Sequence, residues 1–269
     1  MTQNIQESIL PAERRKRILE YIQQNGSGRI EELATTLGVS EATVRRDLSI
    51  LDTEGFVDRT HGGAVLPETS TAFERLYPEK RALFSEEKQA IGLKAATMVS
   101  DGETLILDSG STTFEIARNL IFHKNLTIIT YDLFIASSFI YDPSTTVIVT
   151  GGVRRDGFNV LIGPIAEELL RQVKVNKAFI GADAVDFTQG ITNATFTEVS
   201  IKRLIIEAAN EVVLVADHSK FGKLALAKVC SLNQIQHIVT DQKLDDSILQ
   251  GIQRLEIPLT IVQAEEKNL

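Results

Sequence analysis

The 269-residue chain reads as an α/β protein in two parts: a small N-terminal unit of three short helices closed by a β-hairpin, then a larger unit of alternating strands and helices. Three observations carry this. Apolar residues recur at helical spacing between Pro11 and Leu51. From residue 88 onward, β-branched runs such as TLILD, LTIIT and EVVLVAD alternate with helical segments. Between the two lies 67–87, PETSTAFERLYPEKRALFSEE, which mixes Pro, Thr, Ser and charge without a period and reads as a linker. The expected organisation is 1–66, 67–87 and 88–269.

In PAERRKRILEYIQQNG, Pro11 suits a first helical turn, Ile18, Leu19 and Ile22 share a face, and Gly26 suits the stop. IEELATTLG places Ile30, Leu33, Ala34 and Leu37 on one face and ends at Gly38, which tolerates the positive φ of a tight turn. Ser40 caps a third helix whose Val44, Leu48 and Leu51 pack inward and which Gly55 ends. Two helices joined by a short Gly-containing turn have the spacing of a helix-turn-helix. Phe56 and Val57 then open a strand, Gly62 and Gly63 make the turn, and Ala64 to Leu66 return, so that a hairpin follows as a wing.

The third helix leaves Glu41, Ala42, Thr43, Arg45, Arg46 and Ser49 outside. Arginines suit guanine edges and phosphates, and Thr suits either while its methyl meets thymine, so this face fits a DNA major groove. Arg59 and His61 at the hairpin tip suit phosphates or a minor groove. Against this stands the net charge: 28 Lys and Arg face 36 Asp and Glu, a formal −8 that would repel a duplex if spread evenly. The contact must be local. The expected division sets Arg14, Arg15, Lys16, Arg45, Arg46, Arg59 and His61 toward DNA and Glu31, Glu32, Asp52 and Glu54 away from it.

In the larger unit, short β-branched strands with intervening helices predict a parallel sheet covered on its faces, where small ligands sit beyond the carboxyl ends of the strands. The residues at those ends are therefore the candidates. TLIL runs into DSGSTT, Asp108 to Thr113, whose backbone N–H groups and hydroxyls at a helix start suit a phosphate or carboxylate, or serve merely as caps. Tyr131 and Asp132 follow LTIIT, and Gly151 and Gly152 follow TVIVT. Arg154 and Arg155 beyond them either clamp an anion or are solvated. Asp183 follows KAFIG. Asp217 and Lys220, in DHSKFG, either hold two ends of a polar ligand or form a surface pair.

Several classes are excluded or disfavoured. One cysteine, Cys230, rules out an internal disulfide and a multi-cysteine zinc site and fits a reducing compartment. The four histidines are scattered, and no metal site is expected. There is no G-x-x-x-x-G-K-[ST] and no G-x-G-x-x-G after the first strand, so no nucleotide cofactor is expected. No secretory leader or membrane-length apolar run is present, which predicts a cytoplasmic protein without membrane partners. No catalytic constellation is visible.

RRKRILEYIQQNGSGRIEELATTLGVSEATVRRDLSILDTEGFVDRTHGGAVL resembles the amino-terminal domain of the DeoR family of bacterial transcriptional regulators, with SEATVRRDL as reading helix and RTHGGA as wing. LDSGSTT, TGG, GADAVD, TEVSIKR and ADHSKFG are similar to that family's sensor domain, which shares its fold with ribose phosphate isomerases and coenzyme A transferases. The resemblance implies a winged helix-turn-helix that binds double-stranded operator DNA through Ser40, Thr43, Arg45, Arg46 and Arg59 to Gly63. It also implies an effector, a phosphorylated sugar or related metabolite, cradled by Ser109, Gly110, Ser111, Thr112 and Thr113. Asp183, Glu198, Lys202, Asp217 and Lys220 would line the rest of the pocket. A homodimer or homotetramer repressing a carbohydrate operon, with no cofactor and no catalysis, is the implied protein. Within the family the likeness looks nearest to regulators of amino-sugar and hexitol use. Where many members carry Thr-Asn, this chain has Thr130, Tyr131 and Asp132, which exchanges an amide donor for a carboxylate. The competing reading, an isomerase-like enzyme with a DNA-binding arm, meets FTQGITNATFTE, a stretch without lysine where such isomerases carry a lysine and glycine-rich loop.

Overall fold

The computed structural model describes residues 10–264 except 26, 55, 66, 68–70, 73 and 156, so Gly26, Gly55 and Leu66 lie outside the described residues. The chain divides into two compact units, Met1–Glu74 and Arg75–Leu269.

The first unit runs α1 (Pro11–Asn25), β1 (Ser27–Arg29), α2 (Ile30–Leu37), α3 (Glu41–Thr53), β2 (Asp58–Thr60) and β3 (Gly63–Val65). Its core is the set that helical spacing selects: Ile18 and Ile22 of α1, Leu33 of α2, and Val44, Leu48 and Leu51 of α3, with Val57 and Ala64 from the hairpin. Gly38 ends α2 at φ 64°, and the Val39 N–H returns to the Ala34 carbonyl at 3.1 Å. Ser40 caps α3, accepting from the Thr43 N–H at 3.2 Å.

SGR, between the first two helices, is strand β1, a strand that the sequence reading does not contain, and gives the sheet order β1-β3-β2. Two expectations for the hairpin are corrected. The hairpin turn is His61–Gly62, while Gly63 is paired inside β3 with Thr60 and Arg29. A Cβ at Gly63 would collide with the Gly28 carbonyl, so this glycine serves the close approach of β1. Phe56 stays outside the sheet and exposed, and only Val57 turns inward.

Arg14 is also corrected. Its Nε and Nη2 donate to the two oxygens of Asp47 on α3, at 2.5 and 3.2 Å. Asp47 is only 2% exposed, so this guanidinium neutralises a buried carboxylate and ties α1 to α3 rather than joining the outward basic set.

The second unit opens with α4 (Tyr77–Ala82) and α5 (Ser85–Ala96). Residues 77–87, read as linker for their charge and lack of period, thus belong to it; Tyr77 is buried and stacks on Phe134 with ring centroids 4.7 Å apart. There follow β4 (Thr104–Leu107), α6 (Ser111–Asn119), β5 (Thr127–Thr130), α7 (Leu133–Ser137), β6 (Thr146–Val149), β7 (Val153–Arg155), β8 (Val160–Ile162), α8 (Pro164–Arg171) and β9 (Val175–Ile180). The chain continues with β10 (Ala184–Asp186), β11 (Gly190–Asn193), α9 (Val199–Ala208), β12 (Ala209–Val215), β13 (Ala227–Cys230), β14 (His237–Asp241), α10 (Asp246–Arg254) and β15 (Leu259–Val262).

Seven of these strands form a parallel sheet in the order β15-β14-β12-β9-β4-β5-β6. Strand alternation splits its side chains between two cores. Leu105, Leu107, Ile128, Phe179, Val213, Val215 and Val239 pack with α5 and α6, whereas Ile106, Ile129, Ala178, Ile180, Leu214 and Ile238 pack with α8 and α9. Both faces are therefore dry, which is why the strands read as continuous apolar runs. The β7–β8 hairpin and the antiparallel β10-β11-β13 sheet, in which Cys230 is buried, were not visible in the sequence.

Replacing Arg14 with Ala removes both hydrogen bonds to the buried Asp47 and leaves it only the Arg15 guanidinium at 3.8 Å, and is expected to destabilise the first unit by about 3 kcal/mol in urea titrations. The salt dependence of DNA binding should keep its slope. A slope smaller by about one would instead mark Arg14 as a phosphate contact.

Candidate functional site

Two groups of residues stand out, one in each unit. On α3, Ala42, Arg45 and Arg46 are exposed and Thr43 and Ser49 half-buried, while Val44, Asp47 and Leu48 face the core. Arg45 pairs along the helix with Glu41 at 2.7 Å, and the Thr43 hydroxyl sits 2.8 Å from that of Ser40. Arg46 extends outward with no partner among the described residues. Arg59 is anchored near this face: its N–H donates to Asp52 at 3.3 Å and its guanidinium approaches the Ser49 hydroxyl at 3.4 Å. His61 and Gly62 are exposed at the tip. A capped helix thus carries two exposed arginines, Arg46 without a partner among the described residues, beside a short hairpin, the combination that a reading helix and wing require.

In the second unit the strand ends converge as topology demands, but they do so in two layers. The lower layer is buried. Asp108, fully enclosed after β4, receives the Gly181 N–H at 2.8 Å, the Lys202 ammonium, and the Tyr131 hydroxyl at 2.6 Å. That hydroxyl, with a single proton, also lies 3.0 Å from Glu198, whose other oxygen takes Arg155 at 2.7 Å. Arg155 stacks over Phe158 at 3.9 Å, so it neither clamps a ligand nor faces solvent. Burial, then Asp108 and Glu198, raise the Tyr131 phenol well above its ordinary pKa. Burial works against the Lys202 ammonium, yet Asp108, Glu198 and Asp183 hold its pKa above the usual lysine value. Asp108, Tyr131, Glu198 and Lys202, expected to line a pocket, are therefore committed to one another. Gly152 likewise serves packing: its φ is 121° and a Cβ would come 2.5 Å from the Ile162 carbonyl oxygen.

The upper layer is what remains at the strand ends. Gly110, at φ 150°, begins α6, and no side chain caps that helix, so the N–H groups of Ser111, Thr112 and Thr113 point out of its first turn. Thr113 returns its hydroxyl to the Gly110 carbonyl at 3.0 Å. Ser109 donates to Asp132 at 2.9 Å, and Asp132 caps α7 through the Phe134 and Ile135 N–H groups at 2.8 and 3.1 Å. Burial pushes the Asp132 carboxyl above the usual carboxylate range against these bonds. The carboxylate noted as a departure is thus a cap, held beside the loop by its own hydrogen bonds. Asp183 accepts from Lys80 at 3.0 Å and from the Ala194 N–H at 3.1 Å. Burial works to raise its carboxyl, but Lys80, Lys220 and Lys202 hold it well below the ordinary range. Asp217 is fully buried, caps the turn at Ser219, and keeps one oxygen without a hydrogen bond, 3.7 Å from the Lys88 ammonium. The Lys220 ammonium has no hydrogen bond or ion pair among the described residues; burial lowers its pKa although Asp217 and Asp183 face it. Of the two alternatives for Asp217 and Lys220, the surface ion pair is not made.

Lys80 and Tyr77 were missed because they sit in the 67–87 stretch whose composition hides its helices, and Lys88 because it opens the next segment as an ordinary helical lysine. No group of three or more His, Cys, Asp or Glu side chains that could hold a metal ion occurs among the described residues. No helix among them is long and apolar enough to cross a membrane.

Residues 14–70 match the DeoR-like helix-turn-helix domain and residues 83–242 the DeoR C terminal sensor domain. The chain belongs to the DeoR family. It is similar to the HTH-type transcriptional regulator GlpR of Haloferax volcanii, with 36% identity over 88% of this chain and 92% of that one. It shares 31% identity with the HTH-type transcriptional regulator GolR of Listeria innocua over 95% and 100% of the two chains. It shares 32% with the Glycerol-3-phosphate regulon repressor of Escherichia coli K12 over 93% and 98%. Among solved structures, ribose 5-phosphate isomerase A of Methanocaldococcus jannaschii aligns over 50% of this chain and 53% of that one, at 21% identity and a TM-score of 0.35. As a DeoR-family member the protein is a DNA-binding transcriptional regulator with a sensor domain, and the reading as an isomerase-like enzyme gives way to it.

Two outcomes are expected from these sites. Arg46→Ala should weaken binding to an operator selected from random duplexes by about 1–3 kcal/mol, with an unchanged unfolding temperature; undiminished affinity removes Arg46 from the reading face. Tyr131→Phe removes a hydroxyl shared by Asp108 and Glu198 and should cost about 1–3 kcal/mol in urea unfolding of the second unit.

Proposed function

We propose that this DeoR regulator represses a carbohydrate-utilisation operon and releases its operator when a phosphorylated sugar or related metabolite enters the strand-end cleft of the second unit. The observation that carries this reading is the uncapped start of α6, beyond β4, together with the half-buried Lys220, beyond β12, whose ammonium makes no hydrogen bond or ion pair among the described residues. A helix N-terminus and a lysine at the strand ends suit an anion, and Asp183, Ser109 and Asp217 at those ends suit hydroxyl groups. The names of the relatives favour small phosphorylated polyols: one is the repressor of a glycerol 3-phosphate regulon. No cofactor enters this scheme.

Release requires the effector to bind the DNA-incompetent state more tightly than the competent one, since equal affinity shifts nothing. The regulator works as a homodimer or homotetramer in the cytoplasm, placing paired reading helices on half-sites about one helical turn, or a multiple, apart.

The test is a thermal-shift screen of the full-length protein against phosphorylated and unphosphorylated trioses, pentoses, hexoses, hexitols and amino sugars, followed by operator titration with each hit. A phosphate-dependent rise in unfolding temperature and a matching loss of operator affinity are expected. Lys220→Ala should abolish both responses while leaving the ligand-free operator affinity at the wild-type level. A normal ligand response in that variant overturns the pocket assignment.

A further inference from the structure

The stretch that reads as linker is built into the sensor unit at the strand ends. Leu76 to Phe84 contains α4, and each of its tethers lies beyond the carboxyl end of a parallel strand. Tyr77 stacks on Phe134, beyond β5; Arg81 lies 4.4 Å over the ring of Phe114, on the helix that follows β4; and Lys80 pairs with Asp183, beyond β9. The Lys80 ammonium also stands 5.4 Å over Phe158. At the far end of the stretch, the buried Lys88 ammonium donates to the carbonyls of Lys80 and Leu83 and faces Asp217, beyond β12. Phe84, the residue between α4 and α5, has a φ of 52°, strained for a residue with a side chain, and sets its ring edge-on to His218 at 4.8 Å.

Two observations point from this strap to a ligand. The Tyr77 hydroxyl is buried without a hydrogen-bond partner, in a side chain 3% exposed, and its charged neighbours Asp132 and Glu115 flank the Ser109–Thr113 loop. Leaving a buried donor unsatisfied is costly, so a nearby acceptor would be strongly favoured. Second, Asp183 is approached by three ammonium groups, Lys80, Lys202 and Lys220, and Lys80 and Lys220 act on each other as like charges. A second anion at this point relieves that repulsion.

We propose that the Leu76–Phe84 strap is part of the effector site: Tyr77 and Lys80 donate to the anionic group held at the start of α6, and Lys80 exchanges Asp183 for it. The ligand class is a phosphate monoester, or another compact anion attached to a polyol. The inference rests on the effector cleft proposed above and adds a consequence to it. Arg75, the first residue of the sensor unit, directly precedes the strap, so an effector that reorders Tyr77 and Lys80 acts on chain next to the end of the DNA-binding unit. A strap held by a few polar and aromatic tethers over a strained Phe84 is suited to two arrangements.

The experiment is hydrogen–deuterium exchange on the full-length protein with and without saturating inorganic phosphate, then with the strongest hit of the sugar-phosphate screen, read separately over residues 76–88 and 109–119. Phosphate affinity is titrated in parallel for the wild type, Lys80→Gln and Tyr77→Phe. Slower exchange in both segments, with affinity at least tenfold weaker in Lys80→Gln and severalfold weaker in Tyr77→Phe, is the expected result. Protection of 109–119 alone, with both variants binding as the wild type does, overturns the strap assignment and leaves the effector cleft standing. Silence in both segments with every ligand overturns the cleft and the strap together. The exchange measurement uses the wild-type chain, so it decides the matter even if a variant folds poorly.

Discussion

Beneath the effector cleft, Asp108 ends β4 with no exposure and holds a main-chain N–H, a lysine and a tyrosine from three other parts of the chain. A carboxylate there is tolerable because Lys202 neutralises it and both of its oxygens accept hydrogen bonds, since an isolated buried charge is far more expensive than the pair. The cost of that arrangement has a geometric return. Tyr131, Glu198 and Arg155 extend the same network to β5, α9 and β7, so the ends of neighbouring strands are held at fixed distances from the loop that opens α6. The ligand-facing layer above it can then be sparse, because it does not hold the strands together.

The DNA-binding unit uses the same device on a smaller scale. Asp47 lies on the inner face of α3, among Val44, Leu48 and Leu51, and Arg14 of α1 supplies its counter-charge. The pair sets the angle and register of the reading helix against α1, which an apolar contact alone would leave looser. It also resolves part of the conflict between an acidic chain and a polyanionic partner. Arg45 is shared with Glu41, and Arg46 alone of the two stands without a partner, so the outward positive charge is concentrated in a few side chains rather than spread through the unit.

At the strand ends of the second unit, above the Asp108 network, charge is out of balance. Lys80 pairs with Asp183 and Lys202 with Asp108, which leaves the Lys220 ammonium without an ion pair among the described residues, its basicity lowered by burial. Such a site is poised for an anion because a ligand's charge removes a repulsion that the folded protein otherwise carries. The strap from Leu76 to Phe84 provides one of those ammonium groups, which links the occupancy of the cleft to the segment that follows the DNA-binding unit.

Much of this was legible in the linear chain. The spacing of Ile18, Ile22, Leu33, Val44, Leu48 and Leu51 determined three helices and their buried faces; Ser40 and Gly38 determined where helices start and stop. The apolar runs at 104–107, 127–130 and 211–215 determined a sheet buried on both sides, since only such a sheet needs no polar alternation. Family-specific runs such as SEATVRRDL and LDSGSTT pointed to the two sites. What tertiary structure alone decided was which polar residues are occupied. Asp108 and Lys202 are 94 positions apart, Lys80 and Asp183 103, and Arg14 and Asp47 33. Local spacing reports the faces of helices and strands but says nothing about partners brought together by topology. For that reason a carboxylate enclosed in the core, such as Asp108, and one left partly exposed at the strand ends, such as Asp183, looked alike until the fold assigned each its neighbours.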